Sequence, residues 1–296
     1  MCSSDLLEAA KVRVPTEEEL KKIEAAAPDQ PFAKPAKPRR LLVWGHSWTH
    51  TPNVFAEEAI KILGEKTKAF KATVTDDPRV LIPDALSGYD ALVLSNIHEP
   101  EPFLPPDFAK LTPEQQEAAR KYDKAIKQSI LDFVKGGKEP GPAGKPIPGR
   151  GLVGTHASTA ALGGWREYGE MIGGFYGNHI VQDVVLKAEE PQHPLVAFLE
   201  GKPWKINEEI YLFREPYARE KLRVLLSLDL AQMADPGKRP DKDYAVSWVR
   251  KCGDGRVFYT VLGHSESTHW DPLFLRHLLA GIQFALGDLA APCEPR

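Results

Sequence analysis

Cysteine is scarce: Cys2, Cys252 and Cys293 stand far apart, with no Cys-x-x-Cys pair. That excludes a disulfide framework and a thiolate zinc knuckle. No apolar run is long enough to span a bilayer. Neither sign of charge dominates, the net being −3 at pH 7, so neither nucleic acid nor a membrane surface is an expected partner. Met1 to Ala10 lacks the apolar core of about seven or more residues that a secretory signal needs. The Pro/Lys-rich spacer Pro31 to Pro38 is nevertheless compatible with a mature periplasmic or secreted protein, which leaves the compartment open. There is no internal repeat, no His-Glu-x-x-His helix, and no Gly-x-Gly-x-x-Gly after a strand. The last absence argues against a nucleotide cofactor.

What is present is 42% hydrophobic residues in 296, enough for a sizeable core, and nine histidines. Residues 1–40 are polar, with one short helix start at Thr16-Glu17-Glu18-Glu19, and read as a flexible lead and linker. Continuous apolar runs such as Leu41–Trp44 and Ala91–Leu94 read as strands covered on both faces. Helical spacing follows at Val54–Leu63, and Thr112-Pro113-Glu114-Gln115 opens a helix to about Val134. Lys138 to Arg150 reads as an inserted surface loop, and Gly253-Asp254-Gly255 as a hairpin turn. Asp271 caps a last amphipathic helix to about Leu286. The expected fold is α/β, a doubly wound, mainly parallel sheet with some antiparallel edge strands. One domain over 41–288 and a tail over 289–296 complete the layout.

The chain is organised around Gly151-Leu152-Val153-Gly154-Thr155-His156-Ala157-Ser158, a strand that turns sharply into a helix-like segment. Such an elbow pushes its apex residue out of the sheet edge. The apex of elbow enzymes is usually Ser or Cys; here it is His156. In open α/β sheets ligands bind beyond the carboxyl ends of the strands. His46 and His50 follow the first strand, Asn96 and His98 the third, and His264 with Glu266 the last. Glu209 sits inside an apolar strand, where a buried carboxylate needs a partner. Two chemistries stay open. Neutral imidazoles with a carboxylate bind Zn²⁺ or a similar divalent ion; alternatively one His is a general acid/base oriented by a carboxylate such as Glu266. Trp48, Trp165, Phe175 and Tyr176 either stack on a sugar or belong to the core. His193 reads as a turn residue and His277 as structural.

The chain resembles the trehalose-utilisation (ThuA-like) proteins, of the class I glutamine amidotransferase-like superfamily, with a flavodoxin-like sheet. The resemblance rests on Trp48-Thr49-His50, Gly151 to Ser158, Gly169 to His179, Glu208-Glu209-Ile210-Tyr211, Trp248-Val249-Arg250, Gly255 to His264 and Asp271 to Leu279. Residues 138–149 and 231–243 depart from it in length. It implies a single domain and sugar metabolism linked to trehalose and 3-keto-glycosides. His156 stands where amidotransferase relatives carry their Cys nucleophile, and His264-Ser265-Glu266 where they carry a His-x-Glu pair, so glutaminase activity is not expected. The resulting expectation is an enzyme acting by hydrolysis or elimination on a keto-glycoside or trehalose-like disaccharide derivative. His156, His264 and Glu266 are its catalytic residues, and Trp48, Asn96, His179, Glu209 and Tyr211 its substrate contacts. His50, His156 and His264 are candidate ligands for one divalent metal ion. Its partner is a small carbohydrate, with a homo-oligomer compatible. The alternative is a non-catalytic sugar-binding or scaffolding protein.

Overall fold

The computed structural model describes residues 13–45, 52–140, 146–237 and 239–296. Helix α1 (Glu17–Ala26) precedes strand β1 (Arg40–Trp44), α2 (Pro52–Thr67), β2 (Lys71–Thr75), the single turn α3 (Pro83–Leu86) and β3 (Ala91–Ser95). Then come α4 (Pro113–Lys135), the short pair β4 (Gly137–Pro140) and β5 (Pro146–Ile147), β6 (Gly151–Thr155) and α5 (Arg166–Ile172). The remainder is β7 (Phe175–Ala188), β8 (Trp204–Arg214), β9 (Arg223–Leu228), β10 (Ala245–Cys252), β11 (Gly255–Thr260) and α6 (Pro272–Leu286). Among the described residues, no helix is long and apolar enough to cross a membrane.

The main sheet runs β2-β1-β3-β6-β11-β10-β9-β7-β8. The first five strands are mutually parallel; β1, β3, β6 and β11 are largely buried, whereas the edge strand β2 has no buried position. The elbow strand β6 lies between β3 and β11, with Thr155 level with Ser95 and Thr260. The chain segments leaving these three strands therefore emerge side by side at one rim. The expected mixed sheet is present, but its antiparallel share is larger than an edge: every pairing from β11 to β8 is antiparallel. The 14-residue β7 and 11-residue β8 form a long hairpin that carries buried Glu208, Glu209 and Tyr211 to the rim.

The expectation of a flexible lead over residues 1–40 does not hold for residues 13–40. Thr16 and Glu19 close a capping box on α1, which packs on α2 and on the turn Glu266–Trp270. Ile23 is fully buried, and one apolar anchor was too little to register as a periodic face. Beyond α1, Gln283 Oε1 accepts from the Phe32 and Ala33 N–H groups, and Arg39 makes a forked pair with buried Asp288. The C-terminal tail is fastened as well, through His193 Nε2 to the Pro292 carbonyl at 2.9 Å.

Candidate metal and acid–base site

His156 adopts φ +38°, a left-handed conformation that costs a residue with a Cβ and persists only where neighbours enforce it. The enforcement is visible. Tyr259 Oη donates to the His156 carbonyl at 2.8 Å, and His156 Nδ1 lies 2.7 Å from the Val261 carbonyl. Gly154 leaves the room the bend needs, because a Cβ there would stand 2.7 Å from Ser158 Oγ. A carbonyl only accepts, so Nδ1 carries a proton and Nε2 faces the site.

Glu209 stands opposite. Its Oε2 lies 3.1 Å from His156 Nε2 and 2.9 Å from His264 Nδ1, while the two imidazole nitrogens are 3.3 Å apart. Tyr211 Oη is 3.1 Å from His156 Nε2. On the other side, Glu209 Oε1 meets His179 Nε2 at 3.3 Å, and His179 Nδ1 meets Tyr176 Oη at 2.8 Å. The His156 side chain is fully enclosed, whereas those of His264 and His179 are 38% and 44% exposed, so the cluster opens to solvent through these two rings. Burial acts to raise the Glu209 carboxyl pKa, but hydrogen bonds and charge from His156 and His264 outweigh it and hold it well below the usual range. The hydrogen bond to Glu209 raises His264 against the opposing effect of burial.

Next along the strand, fully buried Glu208 has a different task. It accepts from the Gly263 and Ser265 N–H groups at 3.1 and 3.2 Å, from Thr268 Oγ1 at 2.6 Å and from the Glu209 N–H at 2.9 Å. These bonds clamp the loop that presents His264. The loop turns at Gly263, whose φ of +118° suits glycine. Behind it, fully buried His269 has its pKa pushed down to about 4 by burial, and is therefore neutral. Neither Glu208 nor His269 stood out in the sequence; the doublet Glu208-Glu209 in an apolar strand was the available signal for the first.

His156, His264, His179, Glu209 and Tyr211 are thus brought together. Trp48 and His50, like His46, lie outside the described residues. Glu266, expected to orient His264, instead pairs with Arg13; Glu209 takes that place because the turn after Ser265 sends the Glu266 side chain toward α1. Asn96, expected at the substrate, is 1% exposed. Its Oδ1 accepts from the Ala157 N–H at 3.1 Å and its Nδ2 donates to the Gly263 carbonyl at 3.4 Å, so it ties the ends of β3, β6 and β11 together. Trp165 and Phe175 belong to the core, and His98 is exposed. His277 is buried against Ser247 Oγ at 2.9 Å, as its structural reading requires.

Residues 147–285 match the family model ThuA, described as trehalose utilisation. Over that stretch, just under half of the chain, it is similar to that family. It is similar in structure to a putative ThuA-like protein from Bacteroides uniformis ATCC 8492, at 19% identity and TM-score 0.60 over 86% of this chain and 94% of that one. A putative ThuA-like protein from Parabacteroides merdae ATCC 43184 matches at 17% identity and TM-score 0.55, over 88% and 98%. A cytoplasmic protein from Salmonella typhimurium matches at 13% identity and TM-score 0.52, over 83% and 98%. At such identities the likeness speaks for the fold. No curated protein matches the chain in sequence.

His156 Nε2, Glu209 Oε2 and His264 Nδ1 form a donor set that could hold one metal ion. Ligands about 2.0–2.2 Å from a shared ion stand about 2.8–3.6 Å from one another at tetrahedral or octahedral angles. The observed separations of 3.1, 2.9 and 3.3 Å fall in that interval. The Nδ1–H bond to Val261 is also what orients a metal-binding imidazole.

Proposed function

We propose that the protein is a carbohydrate-processing enzyme. Its substrate is a keto-glycoside or trehalose-like disaccharide derivative, cleaved by hydrolysis or elimination at a site that holds one divalent ion. The sugar class follows from the family's description, trehalose utilisation. The observation that carries the reading is the approach of His156 Nε2 to Glu209 Oε2 at 3.1 Å, with Nδ1 already committed to Val261. In the neutral ring Nε2 offers a lone pair to a carboxylate, which is repulsive unless a cation lies between them. That cation is a proton or a metal ion.

His156, Glu209 and His264 would hold the ion, a set of two imidazoles and a carboxylate suited to Zn²⁺ or a related metal. When bound, a divalent ion polarises a ketone or brings the pKa of a water near neutrality. Around it, Glu208 keeps His264 in place, and His179 presents a partly exposed ring at the mouth for a sugar hydroxyl. The amidotransferase alternative has no nucleophile. The apex is an imidazole, and the Ala157 N–H, which in elbow enzymes would serve the oxyanion, is occupied by Asn96.

A metal-free reading has one observation in its favour: 2.9 Å between His264 Nδ1 and Glu209 is also a charge-assisted hydrogen bond, suited to acid/base work. Metal analysis of purified protein and turnover of 3-keto-trehalose, with and without chelator, separates the two. Turnover lost to chelator and restored by Zn²⁺ supports the metal site; turnover indifferent to chelator supports acid/base chemistry. No metal and no turnover would remove the proposal.

A further inference from the structure

The strand order β2-β1-β3-β6-β11 takes the chain from β1 to one side and then back to the other. Such a reversal opens a crevice between β1 and β3, at the carboxyl ends where open α/β sheets bind ligands. Helix α2 lays Glu57 over this spot. A Cβ on Gly45, the residue after β1, would collide with Glu57 Oε1 and stand 3.5 Å from the Ser95 carbonyl. Trp44 pairs with Leu94, so Gly45 and Ser95 are level and face the same side of the sheet. Asn53 stands four residues before Glu57, on the same face of α2.

These side chains carry polar atoms with no use inside the protein. Asn53 is 5% exposed and Ser95 0%, yet Asn53 Oδ1 and Ser95 Oγ have no hydrogen-bond partner. Half-buried Glu57 makes no ion pair among the described residues, and Lys61, one turn on, pairs with Glu58 instead. Buried polar groups left unpaired are costly, and each calls for an explanation. Burial, with Glu58 and Asp76, raises the Glu57 pKa to about 7 against the pull of Lys61. Near neutral pH its carboxyl therefore both donates and accepts. A half-neutral carboxyl, an amide oxygen and a hydroxyl suit the hydroxyls of an uncharged ligand better than an anion.

We propose that the crevice between β1 and β3 is a second carbohydrate subsite, in which Asn53 Oδ1, Glu57 and Ser95 Oγ take hydroxyls of the sugar ring not held at His156. This rests on the carbohydrate reading given above. Neighbouring strands lie about 4.8 Å apart, so the ends of β1 and β6 are about 10 Å apart across β3, a gap that two linked pyranose rings can span. The other flank of the mouth offers less. Asp183 and Asn207, next to Val181 and Glu209 on the hairpin, already satisfy each other at 2.7 Å.

The test is calorimetric titration of wild type, Asn53→Leu and Glu57→Ala with trehalose, with melting temperatures taken alongside. Each variant is expected to bind trehalose about three- to tenfold more weakly, the usual net worth of one hydrogen bond. Neither should melt lower than wild type, because Asn53 Oδ1 and the Glu57 carboxyl have no bond within the protein to lose. Glu57→Ala, at a half-buried helix position, covers the case in which Asn53→Leu folds poorly. Unchanged trehalose affinity in the folded variants would leave the crevice to bound water and overturn the inference alone. So would a loss of affinity that comes with a lowered melting temperature in both variants, the mark of a structural role. If wild type binds neither trehalose nor 3-keto-trehalose, the carbohydrate reading falls and the inference with it.

Discussion

The parallel half of the sheet supplies two imidazoles to the site, and the antiparallel half supplies its carboxylates, its phenols and a third imidazole. His156 and His264 follow β6 and β11, adjacent parallel strands in register, so they emerge together as a matter of topology. Glu208, Glu209, Tyr211, Tyr176 and His179 ride instead on the β7–β8 hairpin, far from β6 in strand order. What places them is the length of that hairpin and the hydrogen bonds at its end. The two halves divide the labour. Strand ends aim the nitrogens, and the hairpin brings the charge that makes them useful.

The sharpest way to break this division is to exchange the two neighbouring glutamates. Glu209→Gln keeps the shape and removes the charge between His156 and His264. Zn²⁺ affinity by calorimetry should fall at least about 100-fold, beyond the 10–100-fold typical of residues behind the ligands. Glu208→Gln should act on the loop rather than on the ion. It loses charge-assisted bonds to Gly263, Ser265 and Thr268, so urea unfolding should show a loss of about 2–3 kcal/mol, with the metal effect confined to about 10–100-fold. Equal profiles for the two variants would mean that the carboxylates are not divided in this way.

A smaller effect is expected from pH in the metal-free protein. Glu209 titrates below its ordinary 4.5 when folded, so its contribution is present above 4.5 and is lost as pH falls through the depressed value. His264 titrates above its ordinary 6.5, so its contribution is complete below 6.5 and is lost as pH rises through the raised value. The stability gap between wild type and His264→Gln should therefore be widest between pH 4.5 and 6.5 and narrow on either side. A gap that widens above pH 6.5 would contradict the paired charges.

The legibility of the sequence follows the same line. Uninterrupted apolar strands, helix caps and the elbow made the parallel half readable, and with it His156 and His264. Glu209 was visible only as a buried charge in want of a partner. Glu266 misled because proximity in sequence to His264 says nothing about the turn that separates their side chains. Asn96 misled because a rim amide serves the protein's own backbone as readily as a ligand. The extent of the antiparallel half and the docking of α1 rest on long-range contacts with little local pattern behind them.

The docking of α1 yields the smallest expected effects. Thr16→Ala opens the capping box and should cost about 1 kcal/mol in urea unfolding. Arg13→Gln, on an exposed ion pair with Glu266, should leave stability and Zn²⁺ affinity unchanged. A large effect of Arg13→Gln on metal binding would move Glu266 back into the site.

Whether His156, Glu209 and His264 share one ion can be read from diffraction. Anomalous diffraction from crystals grown with Zn²⁺ tests it most directly. A single peak about 2.0–2.2 Å from His156 Nε2, Glu209 Oε2 and His264 Nδ1 is expected. No peak there, with the three donors still in hydrogen-bond contact, would contradict it.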